Sequence, residues 1–293
     1  MSDNILIITG GTGGHVLPAV NFFKYLRKEN FSGYTYLSNS SSFIHGLIYL
    51  LSNFDTFFGI FFNFKKLFIE KNIIKTEIIN RYELFDYLLE KLKIEKGDIN
   101  SKTFLNNINQ NKIKTNIKYD QYKYYVLNCT KTNYWGNVSL PIETWVEFIN
   151  TNNFFQNKII VIVGDKSQIQ INKKIEELIL KAKVINITGK TNLQELGYVI
   201  LNSEKVFCND SGVMHLANFF GIKNHSVFTF SDPKIYQNSF NTKYAFYAKL
   251  DCQPCVSLSK VGSDNYPPVC LNKFGCSKSI DANYLNRNFH LTN

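Results

Sequence analysis

The ten residues Cys208-Asn209-Asp210-Ser211-Gly212-Val213-Met214-His215-Leu216-Ala217 constrain this chain more than any other stretch, because they read as strand end, small polar turn and helix start. Lys205-Val206-Phe207 supplies a strand-like approach, and Val213, Leu216, Ala217 and Phe220 recur at helical spacing until Gly221 stops them. Free amides in a first helical turn, at the positive end of the macrodipole, attract a diphosphate. Gly212 would let such a ligand approach the backbone where a side chain would block it. On the plainer reading, Asp210 or Ser211 only caps the helix.

Composition bounds the setting of this corner. A chain of 293 residues with 44% hydrophobic content is long enough for two ordinary cores. The start, Met1-Ser2-Asp3-Asn4, has no basic leader, and the longest apolar stretch, 43–68, is broken by His45, Asp55, Lys65 and Lys66. Neither reads as a signal peptide or a membrane span. Six cysteines in so long a chain do not make a disulfide scaffold, so a reducing, cytoplasmic location is expected. The formal charge of +10 comes from scattered lysines without a nucleic-acid-binding motif, so no nucleic-acid partner is expected. The excess charge suits either a solvated surface or peripheral contact with an anionic inner membrane or an acidic acceptor.

Strand-like runs at 124–127, 158–163, 184–187 and 205–207 alternate with helical patterns at 141–150, 171–181 and 193–201. This alternation predicts a doubly wound parallel α/β sheet. The first half shows a strand at 5–8, a glycine loop, and helical patterns at 17–27, 43–51 and 81–93. Residues 99–118, with six Asn and four Lys, have weak periodicity and mark the boundary between domains 1–118 and 119–293. Thr191 followed by Gln194 fits a capping box, and no glycine stands at the spacing before Gly189-Lys190 that a P-loop needs.

The loop Gly10-Gly11-Thr12-Gly13-Gly14-His15-Val16-Leu17-Pro18 is the second corner at which a ligand could meet backbone. It departs from the dinucleotide fingerprint, and no acidic residue follows to hold a ribose. Its His15 could serve as a general base near neutral pH, or could merely cap a helix. Two corners, one per Rossmann-like half, would face a cleft that one ligand bridges.

These residues resemble glycosyltransferase family 9, the ADP-heptose-dependent heptosyltransferases. The resemblance rests on Asn209 to Ala217 with Phe219-Phe220-Gly221, on Thr188-Gly189-Lys190-Thr191 to Leu196, on Pro141-Ile142-Glu143-Thr144-Trp145, and on the C-terminal cysteines. It covers roughly residues 124–282. The loop at 10–18 is instead similar to the GGTGGHxxP signature of the lipid II N-acetylglucosaminyltransferase, with His15 where family 9 carries an acid. Both resemblances imply the GT-B architecture of two Rossmann-like domains and inversion at the anomeric carbon. Residues 1–118 would then form the acceptor domain and 119–293 the nucleotide-sugar donor domain.

The implied reaction moves a sugar, heptose from ADP-heptose, to a saccharide, glycolipid or protein acceptor of the bacterial envelope, as in lipopolysaccharide synthesis. The alternatives are a UDP-N-acetylglucosamine-dependent transferase and a noncatalytic sugar-nucleotide-binding protein. His15 is the expected base. Gly13, Gly14, Lys131, Asp165, Lys190, Asp210, Ser211, Gly212, Val213, Met214 and His215 are the expected donor contacts, with Asp210 suited to sugar hydroxyls rather than phosphate. No Asp-x-Asp occurs, so the transfer is expected to need no metal cofactor. Cys252-x2-Cys255-x14-Cys270-x5-Cys276 could hold a structural zinc or iron, or could be free or paired thiols. The aromatic run at 54–68 suits a core, an oligomer contact or a membrane-docking surface.

Overall fold

In the computed structural model the described residues are 5–9, 34–38, 56–59, 80, 82–83, 122–129, 139–255, 270, 273 and 275–292. The chain forms two compact units, Met1–Ile78 with Val256–Val269, and Ile79–Cys255 with Cys270–Asn293. In the first, strands β1 (Ile5–Thr9), β2 (Tyr34–Ser38) and β3 (Thr56–Gly59) make a parallel sheet in that order. Ile5 stands opposite Tyr34, and Thr35 opposite Thr56. β3 takes Phe57 and Phe58 of the aromatic run into this sheet. The loop at 10–18, with Gly13, Gly14 and His15, lies outside the described residues.

The second unit is built on β4 (Tyr124–Asn128), β5 (Ile159–Ile162), β6 (Lys183–Asn186), β7 (Lys205–Asn209), β8 (Asn224–Phe228) and β9 (Phe246–Tyr247). All pair in parallel, in the spatial order β6-β5-β4-β7-β8-β9. The order reverses between β4 and β7, and a crevice opens there at the carboxyl ends of the strands. The connecting helices are α1 (Ile142–Thr151), α2 (Ile169–Leu178), α3 (Leu193–Leu201) and α4 (Gly212–Phe219). They are followed by the short α5 (Pro233–Tyr236), α6 (Ser239–Thr242) and α7 (Gly275–Lys278), and by α8 (Ala282–Thr292).

Helix α1 shows how sequence produces packing here. Trp145, Val146, Phe148 and Ile149 fall on one stripe and are buried, while Asn152 ends the helix and accepts a hydrogen bond from the Phe154 amide. Phe148 meets Phe155, Phe246 and Phe289 edge-on at centroid distances of 5.3, 6.2 and 5.8 Å. These rings form the core under one face of the sheet, each worth roughly 1.5–3 kcal/mol by burial.

One expectation needs correction, and one strand was not expected. The helix expected to start at Thr191 is capped one residue later, by Asn192, whose side chain accepts from the Glu195 amide while Glu195 accepts from the Asn192 amide. Position 195 carries the carboxylate that reaches back; at 194 the side chain would point elsewhere. Strand β8 does not read as a strand, because it opens on Asn224-His225-Ser226, polar residues that are all 0% exposed.

Candidate functional site

The carboxyl ends of β4, β5, β6 and β7 feed one cavity of about 850 Å3 within the second unit. Asn128, Gly164, Thr191 and Ser211, each just beyond or at the end of its strand, line it. Three helical segments start at this edge, and they are finished differently. The 3-10 turn Lys166–Gln168 is closed by Asp165, which accepts from the Ser167 amide at 2.7 Å, while Gln168 accepts from the Asp165 amide at 3.1 Å. Helix α3 is closed by the Asn192 and Glu195 pair. Helix α4 has no side-chain cap.

The absence of a cap on α4 has a local cause. Ser211 occupies the N-cap position but turns its hydroxyl to the Asn128 side-chain oxygen at 3.2 Å. Asp210 instead accepts from the Ser231 hydroxyl at 2.6 Å. The simple capping role open to Asp210 and Ser211 is thus filled by neither. The first helical bond runs from the His215 amide to the Ser211 carbonyl, so the amides of Gly212, Val213 and Met214 precede it. A Cβ built on Gly212 would meet nothing within 4 Å. Space, amide donors and the positive end of a helix coincide at one point, and such a corner can hold an anion.

Much of the rest of the cavity is apolar. Leu193, Leu196, Val213, Leu216 and Phe219 line it, and Leu193 and Phe219 remain 67% and 48% exposed. An anion corner beside an exposed apolar wall suits a ligand with one charged end and one flat aromatic end.

Of the sequence-predicted residues, Asp165, Ser211, Gly212, Val213 and His215 line this cavity. Met214 is fully buried beneath it. Asp210 stands next to the lining without belonging to it, and Lys190 donates to the Asn186 carbonyl at 2.9 Å rather than lining the cavity. Lys131 lies outside the described residues. Sequence reasoning missed Asn128, whose amide ties β4 to the Val163 carbonyl at 3.0 Å. It also missed Tyr82, whose hydroxyl lies 2.7 Å from His215 Nδ1. No periodicity or motif marks either.

The cysteines divide into two groups. Burial pushes the Cys129 and Cys208 thiols up to about 12, and Cys208 packs on Ser226 at 3.2 Å; both are packing residues. Cys276 is raised first by burial and then by the charges of Cys255, Cys270 and Cys252, so the four share a neighbourhood. Among the described residues, no group of three or more His, Cys, Asp or Glu is arranged to hold a metal ion. The Cys276 thiol is buried in α7, whereas Cys252 sits exposed in a turn.

Comparison with known proteins places the chain in a family and a fold. The model of glycosyltransferase family 9 (heptosyltransferase) matches residues 58–263. No curated protein matches the chain by sequence. Solved structures that share its fold include three that are described as glycosyltransferases or heptosyltransferases. The iron-containing, dodecameric heptosyltransferase TibC of enterotoxigenic E. coli, in complex with ADP-D-β-D-heptose, is 14% identical, with a TM-score of 0.56 over 100% of this chain and 77% of that one. The E. coli ADP-heptose LPS heptosyltransferase II is 12% identical, with a TM-score of 0.53 over 93% and 80%. The family 9 glycosyltransferase of Veillonella parvula is 15% identical, with a TM-score of 0.52 over 80% and 68%. With well over half of its length matched by the family model, the chain belongs to glycosyltransferase family 9 and is a glycosyltransferase of the GT-B fold.

Proposed function

We propose that the protein transfers heptose from ADP-heptose to a saccharide, glycolipid or protein acceptor of the bacterial envelope, with inversion at the anomeric carbon and no catalytic metal. The observation that carries this reading is the uncapped, open start of α4 at the strand switch point. The amides of Gly212, Val213 and Met214, with Ser211 and His215, meet the diphosphate, and the wall of Leu193, Leu196 and Phe219 takes the base. Asp165 meets the ribose and Asp210 the sugar hydroxyls, while Gly13, Gly14, Lys131 and Lys190 complete the donor contacts. His15 takes the acceptor hydroxyl proton. The acceptor oxygen then bonds to the anomeric carbon as the bond to the diphosphate oxygen breaks, and ADP leaves with that electron pair. The field of α4 stabilises the departing charge, so the proposed reaction needs no metal for that purpose.

In the same reading, residues 1–118 bind the acceptor and 119–293 the donor. The enzyme works in the cytoplasm, and its +10 charge draws it to the inner membrane surface. Among the described residues no helix is long and apolar enough to cross a membrane. Cys252, Cys255, Cys270 and Cys276 take no part in the transfer.

Thermal-shift titration tests the proposal, since a ligand at 100 times its Kd stabilises by about 2.7 kcal/mol. Selective stabilisation by ADP and ADP-heptose is expected. A preference for uridine compounds would replace the donor by UDP-N-acetylglucosamine, and no response to any nucleotide would leave a noncatalytic protein. Gly212→Val gives a second check. With open space around Gly212, the fold should change in stability by less than about 0.5 kcal/mol. ADP affinity should fall at least about tenfold, because the new side chain fills the anion corner. Unchanged affinity in calorimetry would remove α4 from the donor site.

A further inference from the structure

Asp210 stands two residues before Gly212, in the turn that leads into α4. An aspartate so placed ordinarily bends its carboxylate onto the amide two residues on, the local bond of an Asx-turn. Here the carboxylate is held elsewhere. Its Oδ2 lies 2.6 Å from the Ser231 hydroxyl. An ionised carboxylate only accepts, so the single proton of the serine is committed to it.

The main chain on both sides of Ser231 is pinned. The Thr229 carbonyl accepts from Gln253 Nε2, and the Phe230 carbonyl accepts from the Cys255 amide at 2.8 Å. On the other side Asp232 caps α5 by accepting from the Lys234 amide at 2.8 Å. Ser231 itself is 1% exposed. Asp210 is tied to the same strand end, since its own amide donates to the Val227 carbonyl at 3.0 Å. Hydroxyl and carboxylate therefore meet because two fixed stretches of backbone bring them together.

This contact decides what the start of α4 can do. A carboxylate turned onto the Gly212 amide would occupy one of the donors and repel an incoming phosphate. Held on Ser231, it does neither. We propose that Ser231 is a positioning residue that keeps the Asp210 carboxylate off the first-turn amides of α4, leaving them to the phosphates of a nucleoside diphosphate. The ligand in this statement rests on the function proposed above; the direction in which Asp210 is held does not.

Hydrogen exchange of the ligand-free protein, followed by NMR at Gly212, tests the restraint directly. Ser231→Ala frees the carboxylate and should slow exchange at this amide by about tenfold. Ser231→Cys, which keeps the bulk but donates only weakly, should follow the alanine variant. In both, ADP affinity measured by calorimetry should fall about tenfold, because the anion must now displace a carboxylate. With Asp210→Ala already in place, Ser231→Ala should change neither exchange nor ADP affinity by more than about twofold. A Gly212 amide indifferent to both Ser231 variants overturns the inference. So does an ADP affinity that ignores them, or that falls equally with Ala at 210. If the unaltered protein binds no nucleoside diphosphate while the amide responds as stated, the donor reading falls and the positioning of Asp210 stands.

Discussion

Lowering the pH from 7 to 4 should remove about 3 kcal/mol of stability through a single side chain, His225. Its ring is 0% exposed, lies 11° from the plane of Phe207 at a centroid distance of 5.3 Å, and meets Phe246 and Phe289 on other sides. Burial pushes its pKa down from 6.5 to about 3, and the like charges of Lys205 and Lys223 add to the effect. A backbone contact from Tyr244 opposes the shift without reaching hydrogen-bond geometry, so neither ring nitrogen has a hydrogen-bond partner among the described residues. In the unfolded chain the imidazole takes a proton below its ordinary pKa of 6.5, whereas the folded chain resists until about 3. The full stability therefore exists above 6.5 and drains away as the pH falls toward 3, at up to about 1.4 kcal/mol per unit. Urea unfolding at pH 7 and pH 4 measures the loss. His225→Phe, which suits a pocket of aromatic rings and removes two orphaned polar atoms, should flatten that dependence. An equal loss in this variant would assign acid sensitivity to other groups.

His15→Ala should slow sugar transfer by about 10²–10⁴-fold, the usual contribution of a positioned general base. Donor affinity should stay within about twofold of the parent, because the proposed diphosphate contacts belong to α4 and the substitution leaves the backbone of Gly13 and Gly14 in place. The comparison needs both numbers. A variant that loses donor binding together with rate would make His15 a binding group, and one that turns over at the parent rate would reject it as the base. His15→Gln, which keeps hydrogen bonding but cannot accept the proton usefully at neutral pH, should be as slow as the alanine variant.

Much of the second unit was legible because its strands announce themselves. Residues 159–162 are Ile-Ile-Val-Ile, and such unbroken apolar runs mark strands covered on both faces. The α4 corner was legible for a similar reason, since a small polar turn between an apolar run and a helical pattern has few other uses. Strand β8 hid because Asn224 and Ser226 are satisfied sideways rather than by water, and His225 is buried among aromatic rings. Asn224 is held by Gln237, Ser226 and Asn218, and none of these partners is visible from the strand itself. The uncapped state of α4 was equally hidden: Ser211 is a good capping residue by type, and only the position of Asn128 draws its hydroxyl away. The cysteines present the reverse case. Their spacing is conspicuous, yet spacing fixes neither the direction of a thiol nor its burial, and one of the four is buried while another is exposed.

A corner made of main-chain amides has an unusual relation to mutation. No codon change can delete the N–H groups of Val213 or Met214, short of proline, so substitutions at these two positions act through side-chain volume, Met214 being fully buried and Val213 largely buried at the cavity wall. What selection can act on is access to those groups: the bare Cα of Gly212, the hydroxyl that Asn128 draws aside, and the sheet order that opens the crevice. A saturation library scored for nucleotide retention should therefore separate into two patterns. Val213 and Met214 should tolerate other apolar residues of similar size, whereas Gly212 should tolerate almost none. The chemistry of such a pocket survives extensive rewriting of its residues, and its vulnerable points are those that control access to the backbone.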